Sequence, residues 1–243
     1  FLSNFEKRLV RYGGKYAVCD FCDGENEAGS IRVMSVLEFI REEMKVDGIE
    51  FSNPLCRRTM DLAIEAAEQW PSYRQERVIQ LQHERDERFK REIAALQGSD
   101  EVTSVSAINA REAKIKADCD ESYSRALDAS AEDFVSSSLC SSPDDDVRRL
   151  ATELSIDRYE LSKVHTKHNK VETEREGLIR LVPRACYELK SAVLEVEIHR
   201  LQRQIDSTAT VDTDALRRMM ELMALRAEFA RSLGERTITP IKL

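Results

Sequence analysis

The sequence predicts an all-α protein, and three observations carry that expectation. Only 8 of the 243 residues are Gly and 5 are Pro, below the typical usage of about 7% and about 5%. Charged residues make up 34% of the chain and alternate with Leu and Ala over long unbroken stretches, as exposed helices require. Aromatic residues account for 6%, with a single Trp, which argues against the aromatic-rich strands of a sandwich or barrel.

The elements follow from spacing and punctuation. Leu2, Phe5 and Leu9 recur at helical intervals, and Gly13-Gly14 is expected to stop that first helix. Residues 15–32 read as a loop with short extended pieces. Ser35-Val36-Leu37-Glu38 is a capping box, in which hydroxyl and carboxylate satisfy orphan N–H groups reciprocally. Met34 and Phe39 sit at the N′ and N4 positions of a hydrophobic staple. This helix is expected to run to Val46 and stop at Gly48. Asn53 is the N-cap of the next, with Pro54 at N1 where its missing N–H costs nothing. Leu55, Leu62, Ala66 and Trp70 are its expected buried stripe, and Pro71 its expected end.

From Ser72 to Gln97 the apolar positions thin to Val78, Leu81, Phe89, Ile93 and Leu96. Val105, Ile108, Ile115 and Cys119 form a second thin stripe before the Ser-rich stretch around Ser136. Two long charged helices of this kind are expected to pair as a projecting antiparallel hairpin. Ser142-Pro143-Asp144-Asp145-Asp146 opens another helix, with Ser142 as cap, Pro143 at N1 and the carboxylates at the positive dipole end. Val147, Leu150, Ala151 and Leu154 should face inward. Thr173-Glu174-Arg175-Glu176 is a further capping box, starting a helix to Asp206 that is expected to kink at Pro183. Leu194, Ile198, Leu201 and Ile205 form its distal stripe. After a polar turn over residues 207–213, Leu216, Met219, Met220, Met223, Phe229 and Leu233 mark the last helix, with Gly234 as its stop and a tail from Glu235.

Net charge is −8. Duplex DNA binding rests on basic surface that displaces counterions, so a protein partner fits better than DNA. No apolar run approaches the roughly 20 residues of a membrane span, and nothing resembles a signal peptide. The six cysteines are scattered and fit a reduced, cytoplasmic setting. Because the chain opens on Phe1, it is expected to be a piece of a longer protein.

Signals for catalysis are weak. Cys19-Asp20-Phe21-Cys22 has the spacing of half a zinc site, which His165 and His168 could complete, but a structural site is usually built from two recognisable pairs. Two ordinary cysteines in a loop are the preferred reading, and no metal or cofactor is expected. Phosphate loops and hydrolase or metalloprotease motifs do not occur. Asp144–Asp146 read as dipole-complementing surface residues. His83, His199 and the charge run of residues 84–92 read as solvated helix faces. Met219, Met220 and Met223 crowd one helix together with Leu216, Leu222 and Leu225, too many apolar positions for one narrow stripe. Part of that helix is expected to be exposed for docking.

Three short motifs occur in order. They are Asn53-Pro54-Leu55, the stretch from Phe134 to His165 containing Asp157–Lys163, and Leu181-Val182-Pro183-Arg184-Ala185. Together they resemble the C-terminal domain of bacterial DNA primases, clearly over residues 35–70 and 134–190 and more weakly over 1–14. The resemblance implies an all-α fold, a helical bundle followed by a C-terminal helical hairpin. It implies a bundle over residues 1–182 and a hairpin over 183–243. Related domains have much less chain between the first two motifs, so residues 77–130 read as a long charged helical insertion. In that family the domain makes no primers. Its hairpin binds the N-terminal region of the hexameric replicative helicase, and its bundle, similar in fold to the helicase's own N-terminal domain, modulates the helicase. The parent protein would be the primase, a nucleotidyltransferase, with this piece non-catalytic and tethering primer synthesis at the replication fork. The hairpin sequence varies within the family, so the contact residues are inferred from this chain alone as Leu216, Met219, Met220, Met223, Arg226 and Phe229, with Arg217, Arg218 and Glu221 setting register. Long helices joined by short hinges also permit a domain-swapped homodimer. The competing expectation is a generic helical scaffold or coiled-coil adaptor that binds no helicase.

Overall fold

The helix α1 (Leu2–Lys15) packs against five other helices, and the chain wraps around it. The computed structural model describes residues 2–25, 31–97, 105–156, 173–207 and 212–232. After α1 come two strands, β1 (Asp20–Glu25) and β2 (Ile31–Ser35), then α2 (Val36–Val46), α3 (Pro54–Ala67), α4 (Trp70–Gln97) and α5 (Val105–Cys140). The helices α6 (Asp145–Ser155), α7 (Leu178–Ser207) and α8 (Thr213–Ser232) complete the order. The fold is all-α apart from one small antiparallel ladder, in which Phe21 pairs with Met34 and Cys22 with Val33. That ladder supplies the extended pieces expected between residues 15 and 32.

The first helix does not stop at its glycines. A Cβ on Gly13 would come within 2.9 Å of the Met60 Sδ and Cε atoms, so glycine is there to let α3 approach α1 closely. Leu9 and Val10 are buried on the same helix. Glu6 is also buried, only 1% exposed. Its carboxylate accepts hydrogen bonds from the Ser52 N–H (2.5 Å), the Ser52 hydroxyl (2.8 Å) and the Asn53 N–H (3.2 Å). A negative charge is thereby fixed at the N-terminus of α3, where the helix dipole favours it.

The caps of α2 and α3 are as expected. Glu38 N–H donates to the Ser35 hydroxyl while Ser35 N–H donates to the Glu38 carboxylate, and Met34 and Phe39 are both buried. Beyond Val46, Gly48 takes φ +61°, a left-handed conformation that a side chain would strain. The side chain of Asn53 caps α3 by accepting from Leu55 N–H and Cys56 N–H. The buried stripe of α3 is centred on Cys56, Thr59, Met60, Ala63 and Ala66, while Leu55 and Leu62 are half-buried beside it. Pro71 does not end α3. It is the second residue of α4, in the first turn, where proline is tolerated.

Two long helices, α4 and α5, form the expected antiparallel hairpin. At about 1.5 Å per residue they reach about 40 and 54 Å. Trp70, Tyr73 and Phe134 pin its base, with Trp70–Phe134 ring centroids 5.3 Å apart and Tyr73–Phe134 4.6 Å apart. The Ser-rich stretch does not interrupt α5, because Ser130, Ser136 and Ser141 hydroxyls bond back to carbonyls one turn earlier. Val135 and Leu139 of the same helix enter the core.

Asp144, not Ser142, caps α6, accepting from the N–H groups of Asp146 and Val147. The Ser142 hydroxyl instead accepts from the Asp144 N–H, which leaves Pro143 outside the helix. Asp145 and Asp146 pair with Arg148 and Arg149 on the surface. The Thr173–Glu176 box forms with both reciprocal bonds, at 2.9 and 3.2 Å, and caps a turn before α7 begins at Leu178. Pro183 is the sixth residue of α7, which is helical on both sides of it. The motif Asp157–Lys163, His165, His168, Leu233, Gly234 and the tail lie outside the described residues, as do residues 208–211.

Candidate docking surface

Where α7 passes the bundle it is held by a buried cation. Lys190 is 3% exposed, with Nζ 2.5 Å from both Glu43 and Asp47 at the end of α2. Burial opposes its charge, but hydrogen bonds to the two carboxylates outweigh that cost and raise its pKa. Two residues earlier on α7, Glu188 pairs with Arg8 on α1. Upstream, Glu174 accepts from Arg11 at 2.7 Å and from the Tyr16 hydroxyl at 2.8 Å. Burial works against ionisation of Glu174, and these donors more than offset it, lowering its pKa.

Beyond Lys190 the distal half of α7 leaves the bundle and pairs with α8 around a second, smaller core. Ile198, Leu201, Ala215 and Leu222 are its buried members, with Leu194, Ile205 and Met219 packed against them. Asp212 starts α8 by accepting from the Ala215 N–H at 3.0 Å. Arg226 reaches Glu195 on α7 at 3.2 Å, and the Phe229 ring packs tilted against Tyr187 with centroids 5.7 Å apart.

The six residues expected to contact a partner therefore divide. Met219, Phe229 and Arg226 are turned towards α7 and help hold the hairpin together. Leu216 (39% exposed), Met220 (62%) and Met223 (51%) remain outside. They are spaced four and three residues apart, so they form one ridge along α8. Arg217, Arg218 and Glu221 are exposed along the outer face of the same helix. The three outward residues are large and apolar on a helix whose inner face is already covered, which is the arrangement of a helix that docks into a groove. Sequence alone could not separate the two sets, because all six lie on the broad apolar half of the helix.

Among the described residues no comparable constellation of reactive side chains occurs. Burial pushes the Cys19 and Cys56 thiols up to about 11 and the Cys186 thiol up to about 12. All three are protonated at neutral pH and poor nucleophiles. Cys22 lies opposite Val33 in the ladder. Among the described residues no group of three or more His, Cys, Asp or Glu converges as metal ligands would. His83 and His199 are exposed, as the sequence suggested. No helix among the described residues is long and apolar enough to cross a membrane.

Neither the curated proteins nor the solved structures contain a match to this chain. Residues 113–237 match a family described as Domain of unknown function (DUF8430). The matched stretch starts inside the segment read as an insertion, takes in most of α5 and all of α6, and ends past α8. With half of its length matched, the chain belongs to the DUF8430 family.

Proposed function

We propose that this chain is a non-catalytic docking domain whose α7–α8 hairpin presents the ridge Leu216–Met220–Met223 to a protein partner, and that the partner is the N-terminal region of a hexameric replicative helicase. The observation that carries the docking reading is the ridge itself, an apolar surplus on a hairpin whose own seam is already filled. The resemblance of the three ordered motifs to the primase C-terminal domain supplies the choice of partner. A bundle followed by an outlying helical pair agrees with that choice. The role is tethering: a primer-making active site elsewhere in the parent protein is concentrated at the fork without new chemistry in this domain.

The test is binding of the intact chain to the helicase N-terminal region from the same source by calorimetry. The Met220→Glu and Met223→Ser variants and a truncation after Ser207 are measured beside it. Tight binding by the intact chain, weakened at least about tenfold by Met220→Glu, supports the reading. Absence of binding by a well-folded intact chain removes the helicase, and equal binding by the truncation moves the site off α8.

A second reading, a helical scaffold, is favoured by the α4–α5 arm, whose length and exposed charge suit an adaptor. Self-association that is lost when the arm is shortened, without helicase binding, would support it instead.

A further inference from the structure

The chain has six methionines, and the fold sorts them. Met34, Met44 and Met60 are sealed in the bundle core, the most open of them 7% exposed. Met219 is half-buried in the α7–α8 seam. Met220 and Met223 stand in solvent, and both belong to the ridge on α8. Three residues apart on one helix, their side chains are neighbours on the same face.

The thiols are withdrawn by comparison. Cys19, Cys56, Cys119 and Cys186 are buried, and Cys140 is half-buried, 3.9 Å from the hydroxyls of Thr152 and Ser155. Burial raises the thiol pKa of Cys19, Cys56 and Cys186, which leaves little thiolate for an oxidant to meet. A thioether needs no ionisation, so access to solvent governs its reaction. Among the described side chains the most open sulfur is therefore the methionine pair of the ridge.

We propose that Met220 and Met223 form a reversible oxidation site at which hydrogen peroxide switches off the docking ridge. The sulfur lone pair attacks one peroxide oxygen, the O–O bond breaks, and two electrons pass from sulfur to the departing oxygen. That oxygen collects the proton of the transferred one and leaves as water, and a sulfoxide remains. Each sulfoxide places a strong acceptor in the middle of the ridge, and seating it in an apolar groove would bury that acceptor without a donor. Of the three ridge residues, Leu216 keeps its apolar surface. Methionine sulfoxide reductases reverse the step with a dithiol, which becomes a disulfide as the oxygen leaves in water. The buried methionines are spared, so the bundle keeps its fold while the ridge changes. The inference rests on the ridge being a docking face but not on the helicase being its partner.

Graded peroxide treatment of the full chain tests this, read by peptide mapping, hydrophobic-interaction chromatography and binding to the helicase N-terminal region. Met220 and Met223 are expected to gain oxygen about tenfold faster than Met34, Met44 and Met60. Chromatographic retention should fall in step, and helicase binding should weaken by about tenfold or more. The reductases with dithiothreitol should reverse both changes, with circular dichroism constant throughout. The double variant Met220→Leu/Met223→Leu sets its own baseline, which peroxide should not move. Oxidation of the buried methionines as fast as the ridge overturns the proposal, and so does retention unmoved by a fully oxidised ridge. A peroxide response that persists in the double variant also overturns it. A chain that never binds helicase but loses retention through these two positions leaves this proposal standing and sinks the helicase reading. Helicase binding indifferent to a fully oxidised ridge does the reverse.

Discussion

The two helical hairpins of this protein hold together by opposite means. Along α4–α5 the seam is largely polar: Arg85 meets Asp120 and sits 5.6 Å from the Tyr123 ring, Arg88 donates to Ser122 at 2.7 Å, and Arg77 donates to Ser130 at 3.2 Å. Beyond its base, Leu81 and Cys119 are the buried apolar residues of that arm. Along α7–α8 the seam is a continuous apolar cluster, with Arg226–Glu195 as its cross-helix ion pair. A polar seam fixes register, and the large apolar residues left exposed on that arm, Tyr73, Ile79 and Ile108, are scattered and form no ridge. The apolar seam comes from a helix so rich in Leu and Met that part of the supply stays outside. This difference is why docking is assigned to the second hairpin and not to the longer first one.

Four measurements break or sharpen that contrast. The largest effect belongs to Leu201→Ala, which empties the small core of α7–α8. A loss of about 3 kcal/mol in local stability is expected, read as lost hydrogen-exchange protection in α8 while α1 and α3 keep theirs. Uniform loss across the chain would mean that the hairpin and bundle unfold as one unit. Next comes Lys190→Met, which removes the cation joining α7 to Glu43 and Asp47. Because those carboxylates keep contact with solvent, the cost is about 2 kcal/mol and below that of breaking a fully enclosed pair. Denaturant unfolding would reveal it, and an unchanged midpoint would show that packing alone seats α7.

Smaller again is the acid response of Glu174. The turn it occupies also ties to the first hairpin, where Arg175 pairs with Asp128 and Glu132 on α5. Its folded pKa is depressed, so its stabilisation is present above the ordinary glutamate value of about 4.3. It is lost as pH falls through the lower folded value. The protection of the Gly177 N–H, measured against its intrinsic exchange rate at each pH, should therefore fall in acid, and Glu174→Gln should remove that dependence. The smallest effect is Arg85→Ala in the polar seam, about 0.5 kcal/mol given its partial exposure. A loss several times larger would place the arm's stability in its ion pairs and overturn the contrast.

Local grammar was legible in the sequence wherever cause and effect lie within one turn. The caps at Ser35 and Asn53, the stop at Gly48 and the seam residues Leu194, Ile198, Leu201 and Ile205 all stand as spacing predicts. Errors arose where a residue answers to something distant in the chain. Gly13 reads as a stop until Met60 is seen against it, and Pro71 reads as an end until the next helix is seen starting one residue earlier. Ser142 loses the cap of α6 because Asp144 already points its carboxylate at two N–H groups. Glu6 leaves a trace in the sequence, a carboxylate on the face that Leu2, Leu9 and Gly13 share. The apolar surplus on α8 could be counted from composition, but which half stays outside depends on where α7 lies. Met44 of α2 and Met60 of α3 meet in the wall of one pocket, and no window along the chain shows that.

The unbroken course of α5 has a mechanical meaning. Its last turns are clamped in the core by Val135 and Leu139, while its first turns lie about 54 Å away at the far end of the arm. A rod fixed at one end converts angle into distance, so a tilt of about 5° among the core helices sweeps the distal turns through about 5 Å. Whatever grips that far end feels the packing of the core as displacement, and a pull there is delivered straight to the residues around α1.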